Sequence, residues 1–199
     1  TREGYIGSAE VDPAAREEAP APPEALSLSR KAARELLLAT SQAAAFVAQR
    51  RTIVLRGEPE ANADFLDAWF RRLPPALRRE CTFDTHASDR MIDKLGIWLA
   101  GLPDAVSRRP SIWAFDPSEG FLTARTLEPK SPFERWACAA LSDESRPVAE
   151  VLDDVVRAHR LHEAIASGDA SGIADVDEGT ILAFDEANPG LFDELLAGR

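Results

Sequence analysis

The chain has 199 residues, with 45% hydrophobic and 29% charged content, which is enough for one ordinary domain or two small ones around a real core and excludes wholesale disorder. Its formal net charge of −11 repels phosphate backbones and anionic lipid, so neither nucleic acid nor membrane is expected as a partner. Two cysteines, Cys81 and Cys138, read as free thiols in a reducing compartment, with one disulfide as the alternative, and no apolar run suits a membrane span or signal peptide; the expected location is the cytoplasm.

The charge is uneven. Residues 143–199 carry −10 and residues 30–51 carry +4, so the acidity belongs mainly to the C-terminal portion, where a solvated face is the simple reading. The chain starts at Thr1 without an initiator Met, and is expected to be a segment of a longer protein.

Residues 1–28 open with Arg2-Glu-Gly-Tyr-Ile-Gly7 and continue into an Ala-, Pro- and Glu-rich stretch, Val11 to Pro23. That composition predicts a flexible linker, because it buries too little apolar surface to offset its ordering entropy. Ser29 is placed to cap a helix running to about Arg51, with Leu36, Thr40, Ala43 and Val47 on one face and Leu37, Ser41, Ala44 and Ala48 on another. Ile53-Val-Leu55 predicts a short buried strand ended by Gly57. Pro59 then suits an early helix position, and Phe65, Leu66, Trp69, Phe70 and Leu73 form a one-sided stripe. Pro74-Pro75 stops that helix. Another helical turn follows at Ala76–Glu80, and Cys81-Thr-Phe-Asp-Thr85 alternates like a strand.

Residues 86–101 fit two readings. Met91, Ile92, Leu95, Trp98 and Leu99 share a helical face, yet Leu95 to Ala100 also reads as a strand. Ser111-Ile-Trp-Ala-Phe115 predicts a strand, with Gly120-Phe-Leu-Thr123 as a lesser one. Residues 52–56, 81–85 and 111–115 are expected to be neighbours in one sheet.

From Pro132 the pattern is helical. Phe133, Trp136, Ala137, Ala140 and Leu141 make one stripe; Val148, Leu152, Val155, His159, His162 and Ala166 make another, ended by Gly168. The expected fold is α/β, a small mixed sheet flanked by helices, followed by a helical C-terminal portion. Its divisions are a linker at 1–28, an α/β domain at 29–130, and an acidic helical portion at 131–199 packing on it.

No phosphate loop, dinucleotide fingerprint or nucleophile elbow is present in the sequence. His159, His162 and Glu163 can present metal ligands on one helical surface, but both histidines continue an apolar stripe, so packing is the preferred reading and no metal or cofactor is expected. Asp84, His86 and Asp89 at a strand end are the candidates for acid-base catalysis, against a reading as loop and capping residues. No nucleophile or oxyanion donor set accompanies them. Arg71, Arg72, Arg78 and Arg79 form the one dense basic cluster, a contact for an acidic protein partner or for the acidic C-terminal segment of the same chain, or else solubilising charge at helix ends.

Val54-Leu-Arg-Gly-Glu-Pro-Glu60, the helix Phe65 to Leu73, Leu73-Pro-Pro-Ala-Leu-Arg-Arg79, Thr82-Phe-Asp-Thr85 and Ser131-Pro-Phe-Glu-Arg-Trp136 follow one another in an order that resembles the large bacterial GTPase-associated proteins of conflict and defence systems. The resemblance spans about residues 50–140, and Asp84 stands where that pattern has a small hydroxyl residue. It implies a non-catalytic adaptor segment that works beside a GTPase, and carries over no catalytic residue. A protein-interaction module in a multi-component system is therefore the leading expectation. A small hydrolase-like enzyme using Asp84, His86 and Asp89, and a purely structural domain, are its rivals.

Overall fold

The computed structural model describes residues 26–56, 58–84, 98–102, 111–122, 126–174 and 176–193. Its sheet contains β1 (Thr52–Arg56), β2 (Phe83–Asp84), β3 (Leu99–Leu102), β4 (Ile112–Asp116) and β5 (Gly120–Phe121), in the order β2-β3-β1-β4-β5. The first four are parallel and β5 returns antiparallel to β4, which makes the sheet mixed. Ile53, Val54 and Leu55 of β1 are all buried, as a continuous apolar run requires of a central parallel strand covered on both faces. Ile53 lies between Leu99 and Trp113 in register.

The three anticipated strands do share this sheet, but they are not consecutive neighbours: β3 separates β2 from β1. Its sequence, Leu99-Ala-Gly-Leu102, has no β-branched or aromatic residue to announce a strand. It is a strand because Trp98, Leu99 and Ala100 are buried and its backbone pairs on both sides. The 81–85 strand shrinks to Phe83–Asp84, and the 120–123 strand to Gly120–Phe121. Met91, Ile92 and Leu95 lie outside the described residues.

Helix α1 (Arg30–Ser41) runs through the core. Ser29 caps it by accepting from the Ala32 amide at 3.1 Å. The indoles of Trp69 and Trp98 donate to it, at 3.3 Å to Thr40 Oγ1 and 3.0 Å to the Ala39 carbonyl. The single helix expected to reach Arg51 is interrupted at Gln42 and resumes as α2 (Ala43–Ala48). Thr40 Oγ1 bonds back to the Leu36 carbonyl at 2.7 Å, and the Gln42 amide is drawn to the Glu128 carbonyl and Glu134 Oε2 at 3.0 and 3.1 Å. The helix closes with Arg50 N–H on the Val47 carbonyl and Arg51 N–H on that of Phe46, with Arg50 held at φ +52°. Ahead of Ser29, Leu26 and Leu28 pack on the core, so the last residues assigned to the linker are docked.

Helices α3 (Pro59–Arg72) and α4 (Pro75–Glu80) each begin on a proline, whose missing amide costs nothing in the first turn. The C-terminal helices are α5 (Pro132–Ala140), α6 (Val148–Ser167), α7 (Ala170–Ala174) and α8 (Glu178–Ala187). Gly168 ends α6 at φ +70°. The buried face of α6 is wider than its sequence stripe, adding Val151, Ala158, Leu161, Ala164 and Ile165 while Ala166 is exposed.

One buried cluster joins Leu36, Ile53 and Trp69 to Phe133, Trp136, Val155 and Phe184, so the helical portion completes the core of the sheet region. Two polar anchors fix that junction. The Arg30 guanidinium donates to the carbonyls of Leu141, Asp143 and Arg146 at 3.4, 2.7 and 2.6 Å, beyond the end of α5. Glu134, 3% exposed, closes a capping box with Ser131 and accepts from Ser41, Gln42 and the Lys130 amide.

Candidate functional site

Helix α3 turns Leu66 and Trp69 fully inward, as it does Leu73 at its C-cap, and leaves Phe70 at the margin, because the stripe is wider than the face the sheet can cover. Phe83 on edge strand β2 comes to 5.0 Å from Phe70, ring centre to ring centre, yet remains 54% exposed. Between them runs a groove of ≈ 510 Å³ lined by Ala63, Leu66, Asp67, Phe70, Arg78 and Phe83. Its floor and walls are mostly apolar, and β2 is the end strand of the sheet.

The basic cluster stands beside this groove at the C-terminal ends of α3 and α4, where cations also complement the helix dipoles. The four arginines are not equivalent. Arg71 Nε is 2.8 Å from Asp67 Oδ2, and Arg72 Nη1 donates to the Ala68 carbonyl at 3.0 Å while its Nε is buried without a hydrogen bond among the described residues. Arg78 and Arg79 are exposed and make no ion pair among the described residues; Arg78 lines the groove. Cys81, close by, donates to the Leu77 carbonyl at 3.2 Å, and burial, reinforced by Glu80, pushes its thiol up to about 12. It offers no thiolate nucleophile at neutral pH. Cys81 and Cys138 are both free and partly buried.

Of the acid-base candidates, Asp84 ends β2 opposite Ala100 of β3, and His86 and Asp89 lie outside the described residues. Their convergence is not part of the described structure. The pair His159 and His162 is packed: Phe133 meets His159 edge-on at 5.0 Å and stacks with His162 at 6.4 Å. Burial lowers the pKa of both; Glu163, whose Oε2 is 3.5 Å from His159 Nδ1, opposes the shift. No group of three or more His, Cys, Asp or Glu among the described residues is gathered as a metal site. Nor is any helix there long and apolar enough to cross a membrane.

Comparison with protein-family models, with curated proteins and with solved structures finds no match to this chain.

The groove itself was missed in the sequence. Its one visible signal was the placement of Phe83 between Thr82 and Asp84, an aromatic flanked by polar residues in a strand-like stretch. That alternation normally sends the aromatic inward. Only the edge position of β2 leaves it half outside.

Proposed function

We propose that this chain is a non-catalytic interaction module whose groove between α3, α4 and β2 docks an extended acidic segment of a partner protein. The observation that carries the reading is Phe83, 54% exposed on an edge strand beside an apolar groove. An edge strand can accept a further strand by backbone pairing while a neighbouring pocket selects its side chains. Arg78 and Arg79, free of ion pairs among the described residues, favour acidic residues flanking the apolar anchor. They are a local exception on a protein of net charge −11, which supports an acidic partner over a basic one.

The resemblance to GTPase-associated proteins agrees with this reading: a cytoplasmic bacterial adaptor whose partner belongs to a GTPase system. No transferable catalytic residue accompanies that resemblance.

Selection of peptides from a random displayed library on the immobilised protein tests the proposal. The expected result is enrichment of sequences that place an apolar residue among acidic ones. Phe83→Ser should weaken the selected peptides at least about tenfold, a loss of about 1.4 kcal/mol. Arg78→Ala with Arg79→Ala should weaken them and flatten their salt dependence. A library that yields no enrichment, or peptides that bind Phe83→Ser as well as the parent, would overturn the reading in favour of a purely structural domain. A hydrolytic activity abolished by Asp84→Ala or His86→Ala would replace it with an enzyme.

A further inference from the structure

A second concavity, sharing no lining residue with the groove, opens between α5, α6 and α8. Its volume is ≈ 540 Å³, within the range of small-molecule sites. Trp136, Arg146, Asp154, Arg157, Asp177 and Thr180 line it, and Gly179 opens the first turn of α8 onto it without a side chain.

The polar groups divide unequally. Asp154, with a side chain only 16% exposed, accepts from Arg146 Nη2 at 2.5 Å through one oxygen and from Arg157 Nη2 through the other. Asp177 caps α8, its Oδ1 accepting from the Thr180 amide at 2.9 Å and its Oδ2 from Thr180 Oγ1 at 2.8 Å, while Arg157 Nε lies 3.4 Å from Oδ2. All four carboxylate oxygens are thus engaged. Donors remain. Arg146 Nε and Nη1 and Arg157 Nη1 make no hydrogen bond among the described residues. Trp136 is 1% exposed and its Nε1, buried, has no acceptor among the described residues. A buried donor without a partner is uncommon and costs about 1–3 kcal/mol.

We propose that this cleft binds a small organic carboxylate. A cleft with engaged acceptors and surplus donors selects a ligand that brings acceptors, and two guanidiniums offer the planar fork that a carboxylate matches. Asp154 holds both arginines in place before a ligand arrives, which lowers the ordering cost of binding. A metal ion is disfavoured by the same two cations. The two arginines balance the two aspartates, so the lining itself adds no negative charge to the acidic segment around it. Trp136 lines the cleft, so its indole reports on a ligand held there.

The test uses the full chain and its four tryptophan indole N–H resonances, with that of Trp136 assigned through Trp136→Phe. Sodium succinate is titrated against sodium chloride at matched ionic strength, with inorganic phosphate as a third arm. Succinate should move the Trp136 indole saturably, with a Kd below about 1 mM, and leave the Trp69 indole unmoved. Arg157→Lys keeps the charge at a position 51% exposed and should fold normally, yet weaken succinate at least about tenfold by removing the fork. Arg146→Gln should act in the same direction. An indole that does not respond, a response equal to that of chloride, or an undiminished Kd in Arg157→Lys would each overturn the site. Saturation by phosphate but not succinate would overturn the carboxylate assignment.

Discussion

Arg50 is the one non-glycine residue at positive φ among the described residues, and it closes α2 in the position that glycine usually fills. Its Cβ meets the backbone there, so Arg50→Gly is expected to stabilise the protein by about 0.5–1 kcal/mol. Urea melts check it, and a loss of stability would show that the arginine side chain supplies more than the strain removes. The buried histidines set a pH dependence. Burial, opposed by Glu163, holds the pKa of His159 below its ordinary range; His162 is lowered likewise, with Glu163 and Glu134 opposing and Arg135 reinforcing. The unfolded chain therefore binds more protons between the folded values and the unperturbed value of about 6.5. Stability rises with pH through that window, is fully present above it, and is lost as pH falls through the folded values. Urea midpoints measured from pH 7.5 downwards should show this decline, and His159→Gln should make it shallower. An unchanged slope in the variant would assign the acid sensitivity to other groups.

At the scale of elements, α3 joins the sheet to α1 through Trp69, which is fully buried and donates to Thr40. Trp69→Ala should cost about 3–5 kcal/mol, combining lost transfer free energy with the cavity left behind. Denaturant melts that show less than about 1 kcal/mol would mean the core closes over the gap. Phe83 offers the contrast on the neighbouring strand. Half outside, it should tolerate Phe83→Ser within roughly 1 kcal/mol while peptide binding fails. Separating the two readouts distinguishes a residue kept for packing from one kept for contact. The β4–β5 turn is tighter still: Gly120 sits at φ +83°, and a Cβ there would lie 2.2 Å from Glu35 Oε2, which accepts the Phe121 amide at 2.6 Å. Gly120→Ala is expected to lose about 2–3 kcal/mol by thermal or urea unfolding, since it adds both strain and displacement of a buried carboxylate.

The whole molecule behaves as one cooperative unit if its core is one cluster, and that cluster crosses from the sheet into the C-terminal helices. Tryptophan fluorescence and far-ultraviolet dichroism should therefore report coincident unfolding transitions. A chain ending at Lys130 would uncover the face of α1 that meets α5 and lose the Arg30 contacts to residues 141–146. It is expected to show no cooperative transition. A sharp, reversible melt of residues 1–130 would establish instead that the sheet region is an independent domain. Residues 143–199 carry a net −10, so the element that completes the core is also the acidic part of the chain.

Local sequence determined those features whose free energy is local. Ser29 and Ser131 announce helix starts, Gly168 a stop, Pro74-Pro75 a break, and the run Ile53-Val-Leu55 a strand with both faces buried. Stripe spacing likewise marked Trp69, Phe133 and Trp136 as core residues, because helical periodicity is written directly in the order of side chains. Pairing with β1 and β2 settled Leu99–Leu102 as a strand where the preceding residues fitted helix and strand alike, and the helix breaks at Gln42 where the Thr40 hydroxyl bonds back to Leu36 and Glu128 and Glu134, far along the chain, hold the Gln42 amide. The sites are of this second kind. Phe70 meets Phe83 across the edge of the sheet, and Arg146, Arg157 and Trp136 are brought to one cleft from a loop and two helices, with no spacing in the sequence to foretell either. A cleft belongs to no single segment. It exists where separately formed surfaces fail to fill the space between them, and that failure is decided only when the whole chain has packed.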